Sequence, residues 1–287
     1  ICNYEYNTPF CTIQMSNETN GSGSIINLNN WSFYNCKTSI NNAGVSLYAL
    51  QSISFKSCFW YNNSYSNVNS GLINFKANSA CQEFQVCSID SISFINCIFL
   101  DIHSHSGTGF ALFIESHNFE FDQCTFTYST ECDDTRCQAI AVLSDETIVI
   151  TNSIINGTRS YDLTGGIFLQ PAKSNPLSSF LMTNVTFSSI QSSGGDPSDV
   201  CFYLYLRSFQ NVLMDNIHID SNTGKTLCSI ILNSSTISFN SWTVTSNILT
   251  PNNPAQIRNW CNFPYSTPSE FNNCLFELNS KASDYGC

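Results

Sequence analysis

The sequence predicts an all-β fold, a right-handed parallel β-helix (solenoid) of about nine coils with an Asn ladder and a stacked aromatic core. Three observations predict it. A motif of the form apolar-x-Phe-x-Asn-Cys-x-Phe recurs along the 287 residues and is clearest at Ile92-Ser93-Phe94-Ile95-Asn96-Cys97-Ile98-Phe99. Aligned on its Asn, the copies give a wholly polar column of Asn35, Ser57, Asn96, Gln123, Asn152, Asn184, Asn216, Ser241 and Asn273. Ahead of the motif stands a second apolar segment led by small residues, as in Ala43-Gly44-Val45, Ser70-Gly71-Leu72, Thr108-Gly109-Phe110 and Gly165-Gly166-Ile167.

The strand before the column follows from alternation. Two residues before it stand Phe33, Phe55, Phe94, Phe121, Ile150, Met182, Met214, Phe239 and Phe271, and the positions four before, from Trp31 and Ile53 to Ile237, are apolar up to Ser269. Apolar residues at alternate positions make a strand with one buried face. Directly after the column the phase slips by one, to Cys36, Cys58, Cys97, Cys124, Ser153, Val185, Ile217, Trp242 and Cys274. A polar residue between two inward-pointing neighbours marks a bend in the left-handed region, which Asn tolerates best among residues with a Cβ. Stacked amides could then bond along the column, pairing groups that would otherwise be buried alone.

Successive column positions lie 22, 39, 27, 29, 32, 32, 25 and 32 residues apart. Constant strands with variable gaps describe a coil whose loops differ in length. They do not fit a leucine-rich repeat, whose period is tighter, or helical repeats, whose apolar spacing is three and four. At ~4.8 Å per coil the rod would be about 40 Å long, and parallel coiling is expected to be right-handed. Residues 1–24 read as an N-terminal cap and 25–250 as coils. Residues 251–287 read as a last coil with a C-terminal cap or the start of a continuing chain, distorted by prolines that cannot donate to a ladder.

Composition sets the compartment. Fifteen cysteines without any Cys-x-x-Cys suit disulfides in an oxidising environment better than zinc. Sequons at Asn17, Asn20, Asn30, Asn62, Asn156, Asn184 and Asn233 suit a eukaryotic secreted glycoprotein carrying N-linked glycans. No apolar run is long enough for a transmembrane helix. The start at Ile1-Cys2 reads as that of a processed or trimmed ectodomain. A formal charge of -11 with ten Lys plus Arg disfavours nucleic acid and anionic membrane surfaces.

Stacking in register would put Cys36 beside Cys58 and Cys97 beside Cys124, with Cα atoms ~4.8 Å apart and inside the disulfide window. The Cβ atoms would need local adjustment, so free interior thiols are the alternative. Further expected pairs are Cys201 with Cys228, Cys2 with Cys11, Cys81 with Cys87 and Cys132 with Cys137. Among Cys261, Cys274 and Cys287 one is left over, which points to a longer chain or an intermolecular bond.

Few residues suggest chemistry. Glycosidases need two carboxylates about 5 to 10 Å apart, and lyases a carboxylate-bound Ca²⁺ beside a base. Asp122 and Asp215 would lie ~14 Å apart, whereas Glu120 and Asp122 share one strand face at about 7 Å, most simply as part of a solvated face. His103 with His105, and Asp133 with Asp134, are weak metal candidates without further ligands, so neither a metal nor a cofactor is expected. Three residues before the column most coils carry polar residues, namely Ser32, Ser54, Ser93, Glu120, Ser238 and Glu270. Three consecutive coils instead carry Val149, Leu181 and Leu213, an apolar stripe roughly 10 Å long that either a loop of the chain or a partner would cover.

The Gly-Gly-Ile-like starts paired with Phe-rich, Asn-containing strands resemble the repeats of polymorphic outer membrane proteins and of related pectin-lyase-like β-helix surface proteins, over roughly residues 25 to 280. Most copies here read Phe-x-Asn-Cys where that family has Phe-x-x-Asn. The resemblance implies a surface-exposed β-helix with adhesive or antigenic roles and no catalytic residues. The expected function is thus that of a non-catalytic extracellular surface protein, an adhesin, coat or filament component, able to self-assemble through exposed coil ends. The alternative is a secreted polysaccharide lyase or glycoside hydrolase on the same scaffold.

Overall fold

The computed structural model describes residues 5–6, 11–14, 25–35, 37–38, 45–48, 52–66, 73–75, 89–106, 110–128, 136–157, 159–160, 166–169, 178–192, 202–206, 209–224, 228–232, 236–249 and 269–277. Among these the chain is all-β, without a helix, and its strands stack as a parallel β-solenoid. The exception is a short antiparallel contact of Arg136 and Cys137 with Ser160 and Arg159.

Three faces form the wall. On the first, strands that precede a polar corner stack with Leu28 against Phe55, Phe55 against Phe94, Phe94 against Phe121, Phe121 against Ile150, and so on through Met182 and Met214 to Phe239. The second face follows the corner, with Phe33 against Trp60, Trp60 against Phe99 and Phe99 against Phe126. The third is the small-residue-led face, where Val45–Tyr48, Ile73–Phe75 and the start of Phe110–Asp122 pair in parallel, as do Ile167–Leu169, Phe202–Leu206 and Cys228–Leu232. In Phe110–Asp122 the third face runs straight into the first, and its pairing slips between Ser116 and Asn118 rather than breaking at a turn. Buried Ser116 donates to the Asn118 carbonyl at 2.9 Å across that kink.

The core lies inside these faces because alternation sends every second side chain inward. Phe55, Trp60, Phe94, Phe99, Phe121, Phe126, Ile150, Met182 and Phe187 are fully buried. Parallel stacking repeats each ring above its neighbour. Phe55 and Phe94 stack at 4.9 Å and Trp60 and Phe99 at 4.4 Å, with planes 5° and 8° apart. Each buried ring contributes about 1.5–3 kcal/mol by leaving water, and each pair about 0.5–1.5 kcal/mol more.

The first coil departs from the expected register. Ile25–Asn29 pairs with Ser52–Lys56 so that Asn29 faces Lys56, and Asn30 donates its N–H to the Lys56 carbonyl. Asn30, not Asn35, therefore occupies the Ser57 column, and Leu28 rather than Phe33 lies against Phe55. The interval is 27 residues instead of 22. Outward Asn27, not Ser32, faces Ser54. The expected N-terminal cap contributes strands too: Glu5–Tyr6 pairs with Lys37–Thr38, and Cys11–Gln14 with Val45–Tyr48.

Candidate functional site: the polar corners and outward faces

Most coils turn twice, five residues apart. The first corner is made by Asn30, Ser57, Asn96, Gln123, Asn152, Asn184, Asn216, Ser241 and Asn273, all with φ between 49° and 59°. The second is made by Asn35, Asn62, Asp101, Gly157, Ser189, Ser221 and Ser246, also at positive φ. Asn35 belongs to this second column. Its amide confirms the place, since Asn62 Nδ2 donates to Asn35 Oδ1 at 2.7 Å. A left-handed residue reverses the alternation, so the residue after each corner points inward again.

The amide column runs along the outside. Asn152 donates to Asp122 Oδ1 at 2.9 Å, Asn184 to Asn152 at 2.9 Å and Asn216 to Asn184 at 3.0 Å. Asn96 donates to the Ser57 hydroxyl at 3.2 Å, while Gln123 turns to its own neighbour Asp122 at 3.0 Å. Asn96, Gln123, Asn152 and Asn184 are exposed. The expected rescue of buried amides is thus corrected: these rungs order an exterior edge.

Burial falls on the inward residues after the corners. Cys58 donates its thiol to the Leu28 carbonyl at 3.2 Å, Cys97 to Phe55 at 3.3 Å, Cys124 to Phe94 at 3.3 Å and Ser153 to Phe121 at 3.3 Å. The Trp242 indole reaches the Met214 carbonyl at 3.4 Å in the same way. The Cys97 backbone N–H in turn donates to Cys124 Sγ at 3.3 Å, and that of Cys124 to Ser153 Oγ at 3.1 Å. At the second corner Asn does this work. Asn63, Asn222 and Asn247 are fully buried and donate to the carbonyls of Phe33, Phe187 and Ile219 at 3.0, 3.0 and 2.8 Å. Asn222 Oδ1 also accepts the Ile190 N–H, and Asn247 Oδ1 the Asn222 N–H.

Two of the expected pairings, Cys36 with Cys58 and Cys97 with Cys124, are corrected accordingly. Cys58, Cys97, Cys124 and Cys274 carry free thiols. Cys97 and Cys124 are stacked but unbridged, because each sulfur is committed to a carbonyl. Trp31, rather than Cys36, sits at the position below Cys58, with the Trp31 carbonyl accepting the Phe59 N–H. Hydrogen bonding to its Cys124 neighbour and burial push the Cys97 thiol up to about 12, and Cys58 is pushed up by Cys97 and burial. Cys228 faces Phe202, and its expected partner Cys201 is not among the described residues. Cys2, Cys36, Cys81, Cys87, Cys132 and Cys201 lie outside the described residues, as do the side chains of Cys11 and Cys137.

Among the sequons, Asn30 is exposed, and its side chain makes no hydrogen bond among the described residues. Asn62 is exposed and bonded to Asn35. Asn156 is half-buried and accepts from Ser188 at 3.2 Å. Asn17, Asn20 and Asn233 lie outside the described residues.

Of the candidate carboxylates, Asp122 is bound into the corner, whereas Glu120 lies half-buried on the outward face beside it. Burial raises the Asp122 carboxyl, but hydrogen bonds outweigh it and hold the group below its ordinary range. Thr151 Oγ1 at 2.6 Å, Asn152 and Gln123 supply them. Asp220 accepts from Thr245 at 2.8 Å and Ser221 at 2.9 Å in the same manner. Asp215 is three pairings away from Asp122, through Thr151 and Thr183. No group of three metal-binding side chains occurs among the described residues. His103 and His105 are described only as backbone, and Asp133 and Asp134 lie outside the described residues.

Val149, Leu181 and Leu213 stand in consecutive register on the outward first face, between Glu120 and Ser238. Leu213 is 40% exposed, and Val149 and Leu181 are partly so. Sequence reasoning missed the second corner and its buried Asn residues, although the constant five-residue step from the first column signalled them. It also missed a ring cluster on the second face, where Tyr34, Phe59 and Tyr61 point outward. Among the described residues no helix is long and apolar enough to cross a membrane. No family model, curated protein or solved structure matches the chain.

Proposed function

We propose that the chain is a non-catalytic extracellular surface or structural glycoprotein, built as a right-handed β-helix of nine coils and similar in kind to the polymorphic outer membrane protein repeats. What supports the reading is that one candidate carboxylate and three buried thiols are used to hold the corners. The Asp122 carboxylate accepts from Thr151, Asn152 and Gln123, and the three buried thiols cap carbonyls. The outward first face carries hydroxyl contacts between coils, such as Ser93 bonded to Ser54 at 2.9 Å. Such a surface offers extended contact rather than a reaction centre.

The apolar stripe of Val149, Leu181 and Leu213 is the proposed protein-contact site on that face. Replacing Leu181 and Leu213 by Ser tests it: assembly or binding should weaken while stability holds. Unchanged assembly with unchanged stability removes it. The functional reading itself is tested by secreting the chain from a eukaryotic host and offering pectic and mucin-type polysaccharides. Secretion with glycans and no released sugar is expected. Sugar release abolished by Glu120→Gln or Asp122→Asn would replace this reading with an enzymatic one.

A further inference from the structure

The second face carries, in its first coils, a group of exposed rings that neither the corners nor the core requires. Tyr34 and Tyr61 are each 38% exposed and Ile98 is 40% exposed. Ring centroids are 5.5 Å apart for Tyr34 and Phe59, 6.3 Å for Tyr34 and Tyr61, and 6.2 Å for Phe59 and Tyr61, the last pair with planes 7° apart. No outward residue between the two corners of these coils is charged: they are Ser32, Tyr34, Phe59, Tyr61, Ile98 and Leu100. Around Tyr34, Phe59 and Tyr61 the corner residues are uncharged, with Asn30 and Ser57 on one side and Asn35 and Asn62 on the other, and Asp101 continues the second corner only in the next coil. Aromatic faces bordered by amides and free of charge suit a sugar, whose C–H face packs on rings while its hydroxyls and acetamido groups meet amide donors and acceptors.

A sugar source stands at the edge of this cluster. Asn30 begins the sequon Asn30-Trp31-Ser32, and its exposed side chain makes no hydrogen bond among the described residues. Ser32, two residues on, lies opposite Phe59. Asn30, at the corner, is therefore no more than ~7 Å along the chain and ~4.8 Å across from the Phe59 backbone, within reach of the first two sugars of a glycan. Asn184 also begins a sequon, but it is closed above and below. Its Nδ2 donates to Asn152 and its Oδ1 accepts from Asn216.

We propose that Asn30 carries an N-linked glycan whose first N-acetylglucosamine units fold back over Tyr34, Phe59 and Tyr61, while Asn184 stays unmodified. The inference rests on the extracellular reading above. The linkage forms between Asn30 Nδ2 and C1 of an oligosaccharide held on a polyprenyl pyrophosphate. The C1–O bond to that carrier breaks, and the lost amide proton balances the pyrophosphate oxygen.

The test uses the full chain secreted from a eukaryotic host, with peptide-N-glycosidase release in heavy-oxygen water to mark occupied Asn residues by mass spectrometry. Label at Asn30 and none at Asn184 is expected. Native protein freed of its glycan should then bind more of an apolar fluorescent dye than the glycosylated form, and the difference should vanish when Phe59→Ser and Tyr61→Ser are combined. Glycan on other sequons but not on Asn30, label at Asn184, or unchanged dye binding would each overturn the inference and leave the extracellular reading standing. No glycan at any sequon would remove both.

Discussion

The Cys124 thiol donates to the carbonyl oxygen of Phe94, 3.3 Å away in the neighbouring coil, and its sulfur accepts the Cys97 backbone N–H at the same distance. Ser153 holds the equivalent position one coil on and makes the equivalent bonds to Phe121 and Cys124. The column therefore needs a small inward donor and acceptor rather than a thiol as such. Cys124→Ser is expected to stay within about 1 kcal/mol of the parent, whereas Cys124→Ala removes the partner of a buried N–H and costs about 1–3 kcal/mol. Urea midpoints at unchanged slope measure both. Equal stability of the Ser and Ala variants would contradict this role.

Alkaline pH should weaken the fold through the same column. The Cys97 thiol is raised from 9.0 to about 12 when folded, and Cys58 is raised as well. The unfolded chain thus gives up its thiol protons first, so this contribution is complete below pH 9 and is lost as pH rises from about 9 towards 12. Alkylation of Cys58 and Cys97 in the native protein should stay slow across that window and become fast in denaturant. Rapid native alkylation at pH 9 would be the contrary result.

At the second corner the burden moves to Asn222, which is fully buried and bonds the Phe187 carbonyl and the Ile190 N–H. Asn222→Leu keeps the forked side-chain shape but leaves both groups unpaired, at about 1–3 kcal/mol each. Calorimetry should show a lowered midpoint, larger than that for Asn216→Ala on the exposed ladder. A smaller loss at Asn222 than at Asn216 would reverse the ranking of the two columns.

The parts legible in the sequence were those fixed by a period. Alternation and the polar column locate the strands from Ser57 to Asn273 because a left-handed bend admits few residue types. The first coil was misread for a physical reason: both corners of that coil are Asn, and Phe33-Tyr34-Asn35-Cys36 matches the repeat better than Leu28-Asn29-Asn30-Trp31 does. The pairings of Cys58 and of Cys97 with Cys124 were misread because spacing permits a disulfide without revealing that each sulfur has a carbonyl to cap. Ser153 and Trp242 in the same column carried that information, since neither can be half of a bridge. The outward rings were invisible until the second corner fixed which side of the strand Phe59 and Tyr61 occupy.

The bend itself can be tested at Asn96, where φ is 52°. Glycine adopts this conformation without a Cβ penalty, whereas valine does not. Asn96→Gly should change stability by less than about 1 kcal/mol, and Asn96→Val should cost about 1–2 kcal/mol or more. Thermal midpoints that rank Val above Gly would show that the corner is not held in the left-handed region.

The central claim is that Ser54, Ser93, Glu120, Val149, Leu181 and Leu213 form one straight outward column, each paired with the next. Spin labels at Ser54 and Leu213, compared with labels at Ser54 and Leu181, measure it directly by pulsed electron resonance. Five steps of ~4.8 Å predict backbone separations of about 24 Å for the first pair and about 19 Å for the second. Narrow distributions differing by one such step fit the account. Broad distributions, or a shorter distance for the pair more distant in sequence, would contradict it.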